Sequence, residues 1–324
     1  MATSTEQQLS LYLQDAHAIE LQALEQMKRA PKVAGDPEIA KAFEDHAAET
    51  ERHRLYVEDR LLAKAWKPVP QKDIAAKLSG VGMALFARLQ PDTPGKLVAH
   101  ASSYERMELA AYDLLGRLAD RAGDTDTAFT ARLIEKDERA MAERLAGCFD
   151  RAVDASLRDL EPADLGKHLD NFLADAHAIE EQAAKLLDTA PQLAGADELA
   201  QAFEEHLVQT RHHSQLIERR LEDRGASRSS LKDAALQLGA LNLGLFMQMQ
   251  SDTPVKLAAF AYAFEHLEIA SYELLSRVAA RAEDAETVVA ADEILLEERA
   301  AAARIHGLFD LALEASLEAA GVKA

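Results

Sequence analysis

The stretch "AFEDHAAETERH", residues 42–53, decides how this chain is read. Its composition is that of a helix, and Ile39, Ala42, Tyr56 and Val57 lie on one apolar arc of it at spacings of three and four. The middle turns of that arc are polar, because His46, Glu49 and His53 point the same way and Arg60 follows. A helix that is apolar at its ends and polar at its buried centre requires a reason.

The stretch also has a counterpart. "AFEDHAAET" (42–50) matches "AFEEHLVQT" (202–210) at a shift of 160 residues. "DAHAIE" (15–20 and 175–180), "DTPGKL" and "DTPVKL" (92–97 and 252–257), and "YERMELAAYDLL" and "FEHLEIASYELL" (104–115 and 264–275) repeat at the same shift. Across 11–60 against 171–220, 23 of 50 positions are identical, so one module is duplicated. At roughly 100–200 residues per domain, 324 residues make two domains, expected at 1–160 and 161–324.

Few helix breakers (14 Gly and 9 Pro) among abundant Ala, Leu and Glu predict an all-α protein. Apolar spacing and breaks place five helices in the first half, at about 5–29, 37–64, 72–90, 94–121 and 126–158. Thr93 is the expected N-cap of the fourth, with Pro94 at its first position. Four are long enough to span a bundle, and the 72–90 helix sits in the connection between the second and fourth. Its Met83, Phe86 and Leu89 read as core or inter-bundle contacts. Each half is therefore a four-helix bundle with an extra helix in one long crossover, which is the ferritin-like layout.

The other bundle helices repeat the anomaly at 42–53. Glu20 lies inside the arc of Leu9, Leu13, Ala16, Ala23 and Met27, with His17 on its edge. Glu108 is flanked by Ala101, Tyr104, Ala111 and Leu115, with Glu105 and Tyr112 on one shoulder. Glu138 is flanked by Ala131, Ile134, Met141 and Leu145, with Glu135 and Asp137 to either side. Four antiparallel helices would thus each bring one carboxylate to mid-length: Glu20, Glu49, Glu108 and Glu138. Burying even one ionised carboxylate costs several kcal/mol, and like charges together add to it. The remedies are a proton, a basic partner or a cation. Arg60 lies about two turns from His53, roughly 10 Å away, so metal is the more economical answer.

Carboxylates with one or two imidazoles inside a bundle form the ligand set of di-iron and di-manganese proteins. The candidate ligands are Glu20, His46, Glu49, His53, Glu105, Glu108 and Glu138, and by the 160-residue shift Glu180, His206, Gln209, His213, Glu265, Glu268 and Glu298. For Glu105, Glu135 and Asp137 a structural ion pair is an equal alternative. His17, like His177, reads mainly as a flank histidine hydrogen-bonded nearby, and Tyr12, Tyr104 and Tyr112 as core. Glu49 becomes Gln209 and Glu135 becomes Leu295 in the second half, which predicts weaker binding there, or one ion in place of two.

Composition narrows the partners. A net charge of −20 argues against nucleic acid. No window approaches a membrane span or a secretory leader, and the lone Cys148 allows no intrachain disulfide, so a cytoplasmic location is expected. No feature calls for an organic cofactor.

The motifs resemble the YciE/YciF-like branch of the ferritin-like superfamily, bacterial proteins associated with stress. "DAHAIELQ" and "DAHAIEEQ" resemble its first-helix motif, with His17 and His177 where Tyr is usual. Ala42, Phe43, His46, Glu49 and Thr50 resemble its second-helix motif, with His53 where Gln is usual. "EHLEIASY" (265–272) matches its third motif closely and "ERMELAAY" (105–112) more loosely, while "DER" (137–139) and "EER" (297–299) resemble its last. The resemblance implies a dinuclear iron-type site, at most two ions per bundle, and a bundle that pairs with another, so that the tandem would form a pseudo-dimer within the chain and a further homo-oligomer would be open to it. Two functions follow as expectations. One is an oxidoreductase that uses iron or manganese to oxidise Fe(II) or to handle oxygen or peroxide in a stress response. The other is a non-catalytic helical scaffold with a partial or structural metal site.

Overall fold

A computed structural model describes residues 4–70, 72–73, 93–226 and 252–322. The chain divides into two compact units, with the boundary between Arg158 and Asp159. Both are all-α, with no strand among the described residues. Unit 1 contains α1 (Thr5–Met27), α2 (Pro37–Ala63), α3 (Thr93–Arg121), α4 (Thr125–Ala146) and α5 (Phe149–Leu157). Unit 2 contains α6 (Leu165–Thr189), α7 (Asp197–Asp223), α8 (Thr253–Arg281), α9 (Ala285–Gly307) and α10 (Phe309–Ala319). Of the helix expected at 72–90, only residues 72–73 are described; the rest, with Met83, Phe86 and Leu89, lies outside the described residues.

In unit 1 the bundle closes as a ring: α1 packs on α2, α2 on α4, α4 on α3 and α3 on α1. Two local devices set its ends. At one end, Asp124 caps α4 through the Thr127 N–H at 3.0 Å and also receives Arg60 and Lys64 from the end of α2, at 3.3 and 2.9 Å. At the other end, Gly35 adopts φ +68, just before α2, where a Cβ would stand 2.7 Å from Cγ of Pro94 at the start of α3. Gly195 repeats this in unit 2 with φ +69 and 2.8 Å to Pro254, so a side chain is excluded by both strain and space. Helices α2 and α3 therefore run parallel across the diagonal of the ring.

Two expected boundaries change. The helix predicted at 126–158 is two helices, α4 and α5, because it stops at Gly147. Apolar spacing runs straight across this break, since Phe149, Ala152 and Val153 continue it. The bend lets those three side chains bury on the side where α5 packs against α3. The cap expected at Thr93 also moves: Thr93 is already inside α3, and in unit 2 the equivalent cap is Asp252.

One cap differs between the units in a way that can be tested. The Asp36 carboxylate accepts from the N–H groups of Glu38 (2.9 Å) and Ile39 (3.1 Å) at the start of α2. Ala196 occupies the corresponding place before α7, where no side chain caps the helix. Ala196→Asp is expected to stabilise unit 2 by about 1 kcal/mol, and Asp36→Ala to weaken unit 1 by a similar amount, read from urea midpoints of the full chain.

Candidate metal centre

The ring of helices in unit 1 surrounds six buried polar side chains. Glu20 comes from α1, His46 and His53 from α2, Glu105 and Glu108 from α3, and Glu138 from α4. All six are 0% exposed. They form two groups whose candidate ligand atoms lie within 4.8 Å of one another: His46, Glu105, Glu108 and Glu138 in one, Glu20, His53 and Glu138 in the other. Glu138 belongs to both. Its Oε2 lies 3.1 Å from Nε2 of His46 and its Oε1 lies 2.7 Å from Nδ1 of His53, so each oxygen serves one group.

The atoms that face inward have no hydrogen bonds to the rest of the chain. Oε2 of Glu20, Oε1 of Glu105 and both oxygens of Glu108 are buried without a partner, while Oε2 of Glu105, both oxygens of Glu138, Nε2 of His46 and Nδ1 of His53 face one another at 2.7–3.2 Å. The same side chains are satisfied on their outer sides. The Tyr112 hydroxyl donates to Oε1 of Glu20, Nδ1 of His46 lies 3.0 Å from Oε2 of Glu49, and Nε2 of His53 lies 3.2 Å from Oδ2 of Asp137. Native interiors rarely leave so many polar atoms unpaired in one place. A shell of donors converging on a common volume, each braced from behind, fits a metal centre.

Protons are the alternative occupants, and the electrostatics show how they would distribute. Burial, together with the charge of Glu138, pushes Glu20 up to about 8. Burial pushes Glu105 up to about 7, and it raises Glu108 well above the usual carboxylate range with the help of Glu138. Burial opposes ionisation of Glu138 as well, but the two imidazoles against it prevail and hold it down to about 2. Burial likewise disfavours the charged forms of His46 and His53, yet the surrounding carboxylates raise both. Without a cation the cluster is thus a set of shared protons around one ionised bridge, Glu138.

Several expected roles are corrected. Glu49 is not among the converging ligands: its side chain is 28% exposed, and it braces His46. At about 100° per residue, the buried residues of α2 centre between His46 and Thr50, and Glu49 falls roughly 75° to one side. Glu105, placed on a shoulder from the sequence, lies fully inside, because α3 is covered by α1, α4 and α5 together. Arg60 is committed to Asp124 and Thr127, and among the described residues no Lys or Arg pairs with the cluster's carboxylates. Tyr112, read as core, holds a cluster carboxylate, whereas the Tyr104 hydroxyl donates to the Ile19 carbonyl at 3.0 Å. His17 stands apart from the cluster as expected, bonded to Asp73 and Glu58 at 3.0 Å each. Glu135 pairs with Arg139 at 2.6 Å.

Unit 2 reproduces the arrangement residue for residue. Its groups are His206, Glu265, Glu268 and Glu298, and Glu180, His213 and Glu298. The repeated half of the sequence is thus also a repeated site. The chain belongs to the DUF892 family. That family, described as a domain of unknown function, matches residues 4–158 and again 164–318, so each unit is one DUF892 module. No solved structure matches the chain.

Within the second DUF892 module, Glu298 again bridges, 3.4 Å from Nε2 of His206 and 2.8 Å from Nδ1 of His213. The Tyr272 hydroxyl donates to Glu180 at 2.5 Å, and Glu297 stands where Asp137 stood, 2.9 Å from His213. Gln209, like Glu49, lies outside the groups and braces the first histidine at 3.2 Å. Gln209, expected among the ligands of unit 2, is therefore placed outside them, and all six cluster side chains recur. One electrostatic contrast remains. His206 lies nearer to Glu265, at 2.7 Å, than to Glu298, so burial prevails at Glu298, which rises to about 7 where Glu138 falls.

Proposed function

We propose that each DUF892 module holds a pair of divalent metal ions, iron or manganese, and that the chain is a ferritin-like oxidoreductase that oxidises Fe(II) or consumes oxygen or peroxide. The observation that carries this reading is the shared carboxylate. Glu138 offers one oxygen to His46's group and the other to His53's group, an arrangement in which one carboxylate would serve two ions, and Glu298 repeats it. Charge supports the same count: four carboxylates and two neutral imidazoles balance two divalent cations, which removes the penalty of burying the acids unpaired. The all-oxygen-and-nitrogen donor set, without thiolates, favours iron or manganese among redox-active metals.

When bound, such ions supply one-electron chemistry towards oxygen or peroxide. This chain's residues position them and keep the site apolar around them. Glu20, Glu105 and Glu108 would hold the ions together with Glu138, His46 and His53, and Tyr112 steadies Glu20. Glu49 and Asp137 orient the two imidazoles from the rim. The likeness of the helix motifs to YciE/YciF-like proteins supports the ferritin-like assignment and a role in stress. The change from Glu49 to Gln209 would favour the non-catalytic scaffold for the second half, but both residues lie at the rim, outside the groups of candidate ligands.

The test is to deplete the protein of metal, load it with Fe(II) without oxygen, and follow absorbance on adding oxygen or peroxide. Oxidation faster than that of free Fe(II) supports the oxidoreductase. Iron that binds yet oxidises no faster than in buffer removes the enzymatic part and leaves the metal site.

A further inference from the structure

We infer that the two units hold metal unequally, unit 1 as a tight centre and unit 2 as an exchangeable one, because the side chain behind the first histidine is a carboxylate in unit 1 and an amide in unit 2. This rests on the metal-site reading above.

The geometry isolates the difference. Nδ1 of His46 lies 3.0 Å from Glu49, and Nδ1 of His206 lies 3.2 Å from Gln209. The six cluster residues are the same types in both units, and the second histidine is backed by a carboxylate in each, Asp137 or Glu297. An ionised carboxylate can only accept, so Glu49 requires the imidazole proton on Nδ1 of His46. When a metal displaces the other proton, the lone pair it frees on Nε2 faces Glu105 and Glu138. The Gln209 oxygen accepts from Nδ1 of His206 in the same place, but it is neutral and a weaker acceptor than a carboxylate. Metal binding in unit 2 therefore gains no charge from the bracing residue, and its first imidazole is a less basic ligand. Glu49 is thus a positioning residue, acting on the metal through His46. Changes of this kind typically alter metal affinity 10–100-fold.

Titration of the metal-free full chain with Mn(II), with free Mn(II) counted by electron paramagnetic resonance, tests this directly. The wild type is expected to fill in two steps separated by about 10–100-fold in affinity. Gln209→Glu should merge both steps at the tight value, and Glu49→Gln should merge both at the weak value. The first variant gains affinity at a rim position, so misfolding cannot imitate it. A single affinity for both units in the wild type, or a weak step unmoved by Gln209→Glu, would overturn the inference while leaving the metal sites in place. A chain that binds no Mn(II) at all would instead overturn the metal-site reading on which the inference stands.

Discussion

Glu138→Ala is expected to empty both metal positions of unit 1 at once, so that the full chain retains about half of its bound Mn(II) after equilibrium dialysis. Glu20→Ala is expected to lose only the position shared with His53. The contrast follows from topology. Glu138 supplies an oxygen to each group, whereas Glu20 belongs to one. Glu138→Ala also leaves the raised, positively charged imidazole of His53 without its nearest anion, and that of His46 without one of the three carboxylates around it. Removing one partner of a buried pair costs about 3–5 kcal/mol, so the metal-free variant should unfold at clearly lower urea in unit 1 than the wild type. Glu298→Ala should do the same in unit 2, and the double variant should bind none. Retention of the full metal complement by Glu138→Ala, with helical circular dichroism intact, would show that the carboxylate is not a bridge.

The second large effect is a pH-dependent gap between metal-free and metal-loaded stability. Glu20 and Glu180, raised to about 8 by burial and by the charge of Glu138 or Glu298, keep protons in the folded chain that the unfolded chain releases near 4.5. Their contribution is complete below about 4.5 and is lost as pH rises through about 8. Burial opposes the charged forms of His206 and His213, but the neighbouring carboxylates raise them to about 10 and about 9, so their contribution is complete below 6.5 and is lost as pH rises through those values. Both sets act in the same direction. Glu138 acts in the opposite sense only in acid, because its stabilisation is present above 4.5 and is lost as pH falls towards about 2. The metal-free protein is therefore expected to lose thermal stability steadily from about pH 5 to about pH 9. Metal replaces those protons, so binding strengthens over the same window. Saturation at a thousandfold excess over Kd adds about 4 kcal/mol per site, or roughly 10 °C in a unit of this size. Melts with and without Mn(II) should diverge as pH is raised, and curves that stay parallel would contradict protonated ligands in the metal-free state.

Much of this was legible in the chain because helical geometry is periodic. The 160-residue shift, the arcs around Glu20, Glu108 and Glu138, and the paired histidines of 42–53 needed only a wheel and the cost of burying charge. The errors have a common source: a wheel gives direction on one helix and not how many neighbours cover it. Glu49 lies near His46 in angle, yet α2 is buried about a line that passes between His46 and Thr50, which leaves Glu49 at the rim. Glu105 lies to one side on the wheel, yet α3 is enclosed by three helices and buries that side as well. The stop at Gly147 was hidden because the apolar spacing that continues through Phe149 and Val153 serves a second helix as well as it would have served one. Tyr112 looked like core because it is core, fully buried with its hydroxyl spent on Glu20.

The most direct measurement is anomalous diffraction from crystals of the full chain grown with Mn(II). Two peaks in each unit, about 3.5–4 Å apart and bridged by Glu138 or Glu298, with His46 and His53 or His206 and His213 on opposite ions, are the predicted result. Peaks confined to exposed acidic side chains, with the buried carboxylates paired through protons alone, would contradict it.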